Sequence, residues 1–178
     1  MTAHVRLRPI TEADLDLIEL LYEDPDEAGT YGFYGYQNPG VLRRGFADGG
    51  LLSPRDGRLA VVAGDDGELA GEVSWHQQQT GPDSVCWNIG IGLLVRARGR
   101  GYGTQAQRLL AGYLFAHTQL NRIAAETEDG NLAEQRSLEK AGFTREGVLR
   151  GSCFRDGQWR DMVSYSMVRA DLSPPAGR

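Results

Sequence analysis

Apolar and charged residues alternate over Val5-Arg6-Leu7-Arg8, the period-two pattern of a half-buried strand, and Pro9 ends it. Thr11 and Asp14 have the spacing of a capping box. Ala13, Leu17, Leu20 and Leu21 follow at helical spacing, which predicts a helix that packs on a sheet and ends near Asp24-Pro25. Residues 25–57 are rich in Gly, Tyr and Asp, and predict one short helix that starts at Asn38-Pro39 and runs through Val41, Leu42 and Phe46. Residues 59–63 and 69–75 read as two strands joined by a turn at Asp65-Asp66-Gly67. After a polar loop through Gln77, Gln78, Gln79 and Pro82, a third strand covers residues 85–94. It carries Ile89, Ile91 and Leu93 on one face and Gly90 and Gly92, marking a close approach, on the other.

Downstream, Ala106, Leu109, Leu110, Tyr113 and Leu114 give the apolar face of a helix that continues to about His117. A short strand at residues 123–127 precedes a helix at 131–141, with Leu132, Leu138 and Ala141 inward and Gly142 as its left-handed cap. Two last strands, near residues 147–154 and 162–167, flank a turn at Asp156-Gly157. A chain of 178 residues suits one domain over residues 1–178, with 172–178 as a frayed tail.

Composition narrows the function. A net charge of −5 argues against nucleic acid or an anionic membrane as partner, and no apolar run reaches a membrane span. Met1-Thr2-Ala3-His4-Val5-Arg6 has no hydrophobic signal region, so a cytoplasmic setting is expected. Cys86 and Cys153 lack metal-ligand spacing and read as inert core thiols in strands, and no metal site is expected. Tyr31, Phe33, Tyr34 and Tyr36 either line an acceptor pocket or pack the irregular segment onto the core.

The strongest local signal is the strand at 85–94, then Val95-Arg96-Ala97-Arg98-Gly99-Arg100-Gly101-Tyr102-Gly103-Thr104, then an amphipathic helix. A first helical turn presents unpaired N–H groups and a positive dipole end, and glycines let a phosphate come close to them. Arg96, Arg98 and Arg100 reinforce the preference for a small anion. A Walker loop needs Gly-Lys-Ser/Thr, which is absent, and a dinucleotide fingerprint fails at Thr104.

At these residues the chain resembles the GNAT acetyltransferase superfamily, whose motif Gln/Arg-x-x-Gly-x-Gly/Ala is matched by Arg98, Gly101 and Gly103. Asn131, Arg136, Glu139-Lys140-Ala141-Gly142-Phe143, Gly147-Val148-Leu149-Arg150 and Arg155-Asp156-Gly157-Gln158-Trp159-Arg160-Asp161 with Tyr165 extend the likeness to the branch that contains the ribosomal-protein N-terminal acetyltransferases. The resemblance implies an α/β (α+β) fold: a mixed, mostly antiparallel sheet of six or seven strands, splayed in the middle, with about four flanking helices. It implies acetyl-CoA as cosubstrate and an amine acceptor. Carried over by position, Leu93, Leu94 and Val95 would bind the pantetheine and thioester through their backbones, and one of the N–H groups near Leu93 or Leu94 would face the oxyanion. The amides of Arg98, Gly99, Arg100, Gly101, Tyr102, Gly103 and Thr104 would bind the pyrophosphate, with Arg98 and Arg100 assisting. Asn131 would contact the pantetheine, or serve as a plain helix N-cap.

The chain departs from the family at two places. Asn88 stands where many relatives have an acidic residue, and Leu138 where many have a tyrosine, so the usual base and acid are unassigned. Glu72 and His76, on one face of their strand by alternation, and Glu134, where Ser or Ala is common, are the candidates for proton transfer. Each can equally be a solvated polar residue. The function expected is direct acetyl transfer to a primary amine of a small molecule or a protein N-terminus. A non-catalytic acyl-CoA sensor and a transferase of a longer acyl group are the alternatives, and a homodimer stays open.

Overall fold

The computed structural model describes residues 4–38, 40–64 and 66–172, so the expectations placed on Pro39, Asp65, the first three residues and the tail from Ser173 lie outside the described residues. Leu172, assigned above to the tail, ends a 3-10 turn at Arg169–Leu172.

Seven strands form one sheet in the order β1-β2-β3-β4-β5-β7-β6. Their ranges are β1 Val5–Pro9, β2 Asp56–Ala63, β3 Glu68–Gly81, β4 Ser84–Leu93, β5 Arg122–Glu128, β6 Thr144–Arg155 and β7 Gln158–Val168. Every neighbouring pair is antiparallel except β4 and β5, which run parallel and pair only at Trp87↔Ile123 and Asn88↔Ala124. Beyond those two positions the ladder stops although both strands continue, which leaves a wedge between 89–93 and 125–128. The mixed, splayed sheet is as expected.

Five α-helices are described: α1 Leu15–Glu23, α2 Pro25–Ala28, α3 Val41–Gly49, α4 Tyr102–His117 and α5 Leu132–Ala141. The helix beyond the expected four is α2. Asp24 ends α1 and caps α2, its carboxylate accepting from Asp26 N–H at 2.8 Å, while Pro25 fills the first helical position, where no N–H is needed. One Asp-Pro pair both stops one helix and starts the next.

Two apolar layers sandwich the sheet. One places α4 and α5 on Val61, Val73, Trp75, Ile89, Ile123, Ala125 and Val163. The other places α1 on Ala60, Val62 and Leu69. β2 is therefore buried on both faces and reads as a continuous apolar run.

Several phases differ from the sequence pattern. A 3-10 turn at Glu12–Asp14 precedes α1, and Asp14 is fixed by Arg8 at 2.6 and 2.8 Å and by Thr11 N–H at 2.8 Å. The Arg8 guanidinium holds the Asp14 carboxyl down at about 2. Since the α-turns begin only at Leu15, the inward face is Leu15, Ile18 and Leu21, and Leu20 is exposed. In α4 the inward residues are Ala106, Leu110, Ala111, Leu114 and Phe115, and Leu109 and Tyr113 are exposed. Leu132 sits in the first turn of α5 and is exposed, while Leu138 and Ala141 are buried as expected. Gln77–79 are not a loop: they extend β3 to pair with Trp87, Cys86 and Val85. Cys86 is buried, but Cys153 on the edge strand is only partly so.

Register near the wedge depends on one glycine. Val61 pairs with Gly71 and Val62 with Leu69, so Ala70 is the extra residue of a bulge, and its carbonyl accepts from Leu94 N–H at 2.9 Å. A Cβ on Gly71 would lie 2.1 Å from the Gly92 carbonyl oxygen and 2.8 Å from Leu93 Cα, both backbone atoms with no room to move. Gly71→Ala is expected to lower stability by about 1–3 kcal/mol, as overpacking does. The midpoint of urea unfolding reads this, with Gly147→Ala, whose added carbon meets nothing within 4 Å, as a near-neutral control.

Candidate active site

The wedge between β4 and β5 opens into a cavity of about 920 Å³ that reaches both faces of the sheet. Strand alternation decides which side chains face which way. Ile89 and Ala125 belong to the layer under α4 and α5, so Gly90, Gly92, Glu72, Ser74 and Glu126 stand on the opposite face, beside α1. Two ends result.

At the helical end, Gly99 and Gly101 have φ of +73° and +77°, and Gly101 is the left-handed N-cap of α4. Added carbons at either glycine would meet nothing within 4 Å among the described residues, and the N-cap makes no side-chain bond to the first-turn amides. Arg136 and Lys140, one turn apart on α5, line the same cavity. A bare helix start flanked by two cations suits a pyrophosphate.

The backbone groups at the end of β4 are already engaged. Leu94 N–H donates to Ala70, Val95 N–H to Glu27 Oε2 at 2.9 Å, and the Leu93 carbonyl accepts from Arg98 Nε at 2.9 Å. Leu94 N–H is thus not free to face an oxyanion. Of the three, Leu93 lines the cavity, whereas Leu94 is fully buried. Among the arginines of the loop, Arg98 lines the cavity and Arg100 does not. Arg96 pairs with Glu68 at 2.9 Å instead.

Asn131 is the N-cap of α5. Its Oδ1 accepts from Glu134 N–H at 3.3 Å and its Nδ2 donates to Thr127 Oγ1 at 3.0 Å, yet it also lines the cavity. A partly buried polar chain ties the two helix starts together: Thr104 and Ser137 hydroxyls lie 3.3 Å apart, Ser137 donates to Gln107 at 2.9 Å, and Gln107 Nε2 donates to Glu134. Glu134 is therefore not a solvated helix-face carboxylate. Burial pushes its carboxyl up to about 7, against the opposing bond from Gln107.

At the other end, Glu72 is 2% exposed. Its Oε1 accepts from the Tyr22 hydroxyl and from Arg58 Nη1, while Oε2 is buried and without a partner among the described residues. Burial pushes the carboxyl up to about 8, and it also pushes the Arg58 guanidinium down. Arg58 opposes the rise in Glu72, but with Oε2 unpaired and both charges desolvated, the net direction for Glu72 is upward. His76, four residues on, is exposed at the level of Asn88 and does not line the cavity.

The four aromatics divide. Tyr31 and Tyr34 line the cavity, whereas Phe33 and Tyr36 stack edge to face at 5.3 Å, with Tyr36 largely in solvent. Burial, with Cys153 nearby, pushes the Tyr34 hydroxyl up to about 12, so it stays a neutral donor.

Tyr22, Arg58 and Gln107 carry no motif. Arg58 could have been found from register: it pairs with Ser74, and Glu72 is the diagonal neighbour on that face.

A family model described as "Acetyltransferase (GNAT) domain" matches residues 4–144. The probable N-acetyltransferase YjcK of Bacillus subtilis is 34% identical over 113 residues, which cover 64% of this chain and 62% of that relative. The putative ribosomal N-acetyltransferase YdaF of the same organism is 27% identical over 94% of this chain and 93% of its own. Among solved structures, spermidine N-acetyltransferase from Vibrio cholerae in complex with CoA and spermine superposes with a TM-score of 0.77 at 18% identity, covering 94% of this chain and 96% of that one.

Proposed function

The chain belongs to the acetyltransferase (GNAT) family and is an acetyl-CoA-dependent N-acetyltransferase, and we propose that its acceptor is a cationic primary amine whose nitrogen reaches Glu72. One observation carries this reading: Glu72 lines a cavity whose opposite end is a helix start, and one of its carboxylate oxygens is buried with no partner among the described residues. Glu126 stands on the same sheet face, and Arg136 and Lys140 lie on the helical side, so the cavity is acidic where an ammonium would enter and basic where phosphate would lie.

Acetyl-CoA supplies the thioester carbon that the amine attacks and the thiolate that leaves, so the chain needs no nucleophile of its own and buried Cys86 has no part in the reaction. The amides from Gly99 to Thr104 hold the pyrophosphate end. Gly90 and Gly92 line the cavity on the face of Glu72, and added carbons there would crowd Ser74 at 3.0 Å and Leu21 at 3.1 Å, so the amine needs both positions without a side chain. Glu72 Oε2 accepts a hydrogen bond from the ammonium and takes its proton, which frees the lone pair for attack. Glu134, on the opposite side of the wedge and held near neutrality, gives its proton to the departing thiolate, and the acylated nitrogen loses its remaining proton to water.

The reading predicts which amines react. Peptide N-termini, polyamines and amino sugars, which carry no carboxylate beside the amine, are expected to release free thiol from acetyl-CoA. Free α-amino acids are expected to react at least about tenfold more slowly, because a like charge beside Glu72 and Glu126 is repelled. A thiol-release assay across such a panel checks this. Amino acids emerging as the best acceptors would overturn the cationic class, and CoA binding without transfer to any amine would favour the sensor.

A further inference from the structure

The segment from α2 to Tyr34 crosses the wedge and is fastened to both of its lips. On the β4 side, Arg98 donates through Nη2 to the carbonyls of Glu27 and Ala28 and through Nε to that of Leu93. Glu27 returns the tie, since its carboxylate accepts from Val95 N–H at 2.9 Å. On the β5 side, the Tyr31 hydroxyl donates to the Gly130 carbonyl at 2.8 Å, and the Tyr31 ring lies 5.7 Å from the guanidinium of Arg155, which is itself paired with Glu128 at the end of β5. The two strands have no ladder contact at this level, so the segment is a strap across the gap.

The glycines fit this role. A carbon added to Gly29 would lie 2.7 Å from Arg98 Nη1, and one added to Gly130 would lie 3.0 Å from the Tyr31 hydroxyl. A side chain at either position would push the Arg98 guanidinium or the Tyr31 hydroxyl off its partner. Gly29 also has φ of +73°, which lets the chain turn out of α2 directly under the guanidinium.

We infer that Arg98 is a positioning residue for the acceptor rather than a ligand of the phosphate. Its guanidinium lies at the first position of the phosphate loop and grips the strap, so the loop that holds the donor and the segment that covers the acceptor face move as one unit. Ala28, Gly29, Thr30 and Tyr31 of that strap line the cavity on its way to Glu72. The inference rests on the acetyl-transfer reading only for its kinetic consequence; the fastening itself is structural.

Amide hydrogen exchange across residues 26–34, calorimetry with CoA, and steady-state kinetics test it together. Arg98→Ala is expected to raise exchange in the strap by about tenfold or more, since it removes the exposed hydrogen bonds that hold the segment to the β4 lip. It is expected to change the CoA dissociation constant by less than about threefold, and to raise the acceptor KM more than it lowers kcat. Tyr31→Phe, which removes one hydroxyl on the far lip and touches no donor residue, is expected to loosen the same amides and raise the same KM. A CoA affinity that falls about tenfold in Arg98→Ala with strap exchange unchanged would make Arg98 a phosphate ligand and overturn the inference. Unchanged exchange in both variants would also overturn it. If no amine proves to be a substrate, the acceptor class fails while the exchange result still decides the strap.

Discussion

Gly101→Val is expected to leave a folded protein that no longer binds CoA measurably. Gly101 has φ of +77° and ψ of 8° as the N-cap of α4. A side chain there costs about 1–2 kcal/mol because Cβ crowds the carbonyl in the left-handed region, and a β-branched residue suffers most. The fold can absorb that loss, since nothing among the described residues occupies the space the added carbon would take. Binding cannot. The valine either fills the place of the phosphate or pulls the loop out of the left-handed turn and redirects the Tyr102 and Gly103 amides. Two charge-assisted hydrogen bonds at about 1.5–3 kcal/mol each correspond to a loss of at least a hundredfold. Gly101→Ala should fall between the two. Calorimetry with CoA and a thermal melt on the same sample check both halves, and a folded Gly101→Val protein binding CoA within threefold of wild type would sink the assignment of this loop.

The turn before α4 was readable from sequence because its pattern is local: glycines, a helix start and arginines within ten residues. The close approach on the glycine face of β4 was readable for the same reason, Gly90 and Gly92 alternating with Ile89, Ile91 and Leu93. What was not readable depends on elements far apart in the chain. Glu72 could be named from alternation, but its burial comes from Tyr22 on α1 and Arg58 on β2, and the bulge at Ala70 shifts the register that brings them together. His76 shares that alternation, yet β3 runs on past the core to Gly81, so the same face is wet four residues later. Arg98 occupies a motif position, which does not reveal where its side chain goes, because the strap it grips starts at a one-turn helix that Asp24 and Pro25 conceal as an end. Glu134 looked like a surface carboxylate because Gln107, its partner, lies in another helix. Motifs fix backbone chemistry, whereas the state of a titratable side chain is fixed by tertiary neighbours.

The Glu72 and Glu134 carboxyls are separable by pH, because their neighbours hold them at different values. A base must be ionised to accept the proton of the ammonium, so if Glu72 acts on the amine, kcat/KM for the acceptor should rise with pH and level off above about 8, the value to which burial lifts it. Glu72→Gln keeps the volume and an acceptor for the Tyr22 hydroxyl. It should lower the rate by about a hundredfold or more, within the usual contribution of a positioned base, remove that limb, and leave CoA affinity nearly unchanged. Glu134→Gln should leave the limb near 8 and alter the profile only around 7, where its own carboxyl is held. Stability provides an independent reading. A carboxyl raised from 4.5 to about 8 on folding makes the native state bind more protons than the unfolded one, so its contribution is fully present below 4.5 and is lost as pH rises through 8. Wild type should accordingly lose stability relative to Glu72→Gln between pH 5 and 8, measured as diverging urea midpoints. Parallel midpoints would mean that Arg58 keeps Glu72 ionised throughout. Wild-type rates and profiles in both variants would place catalysis on positioning alone, with the amine losing its proton to water.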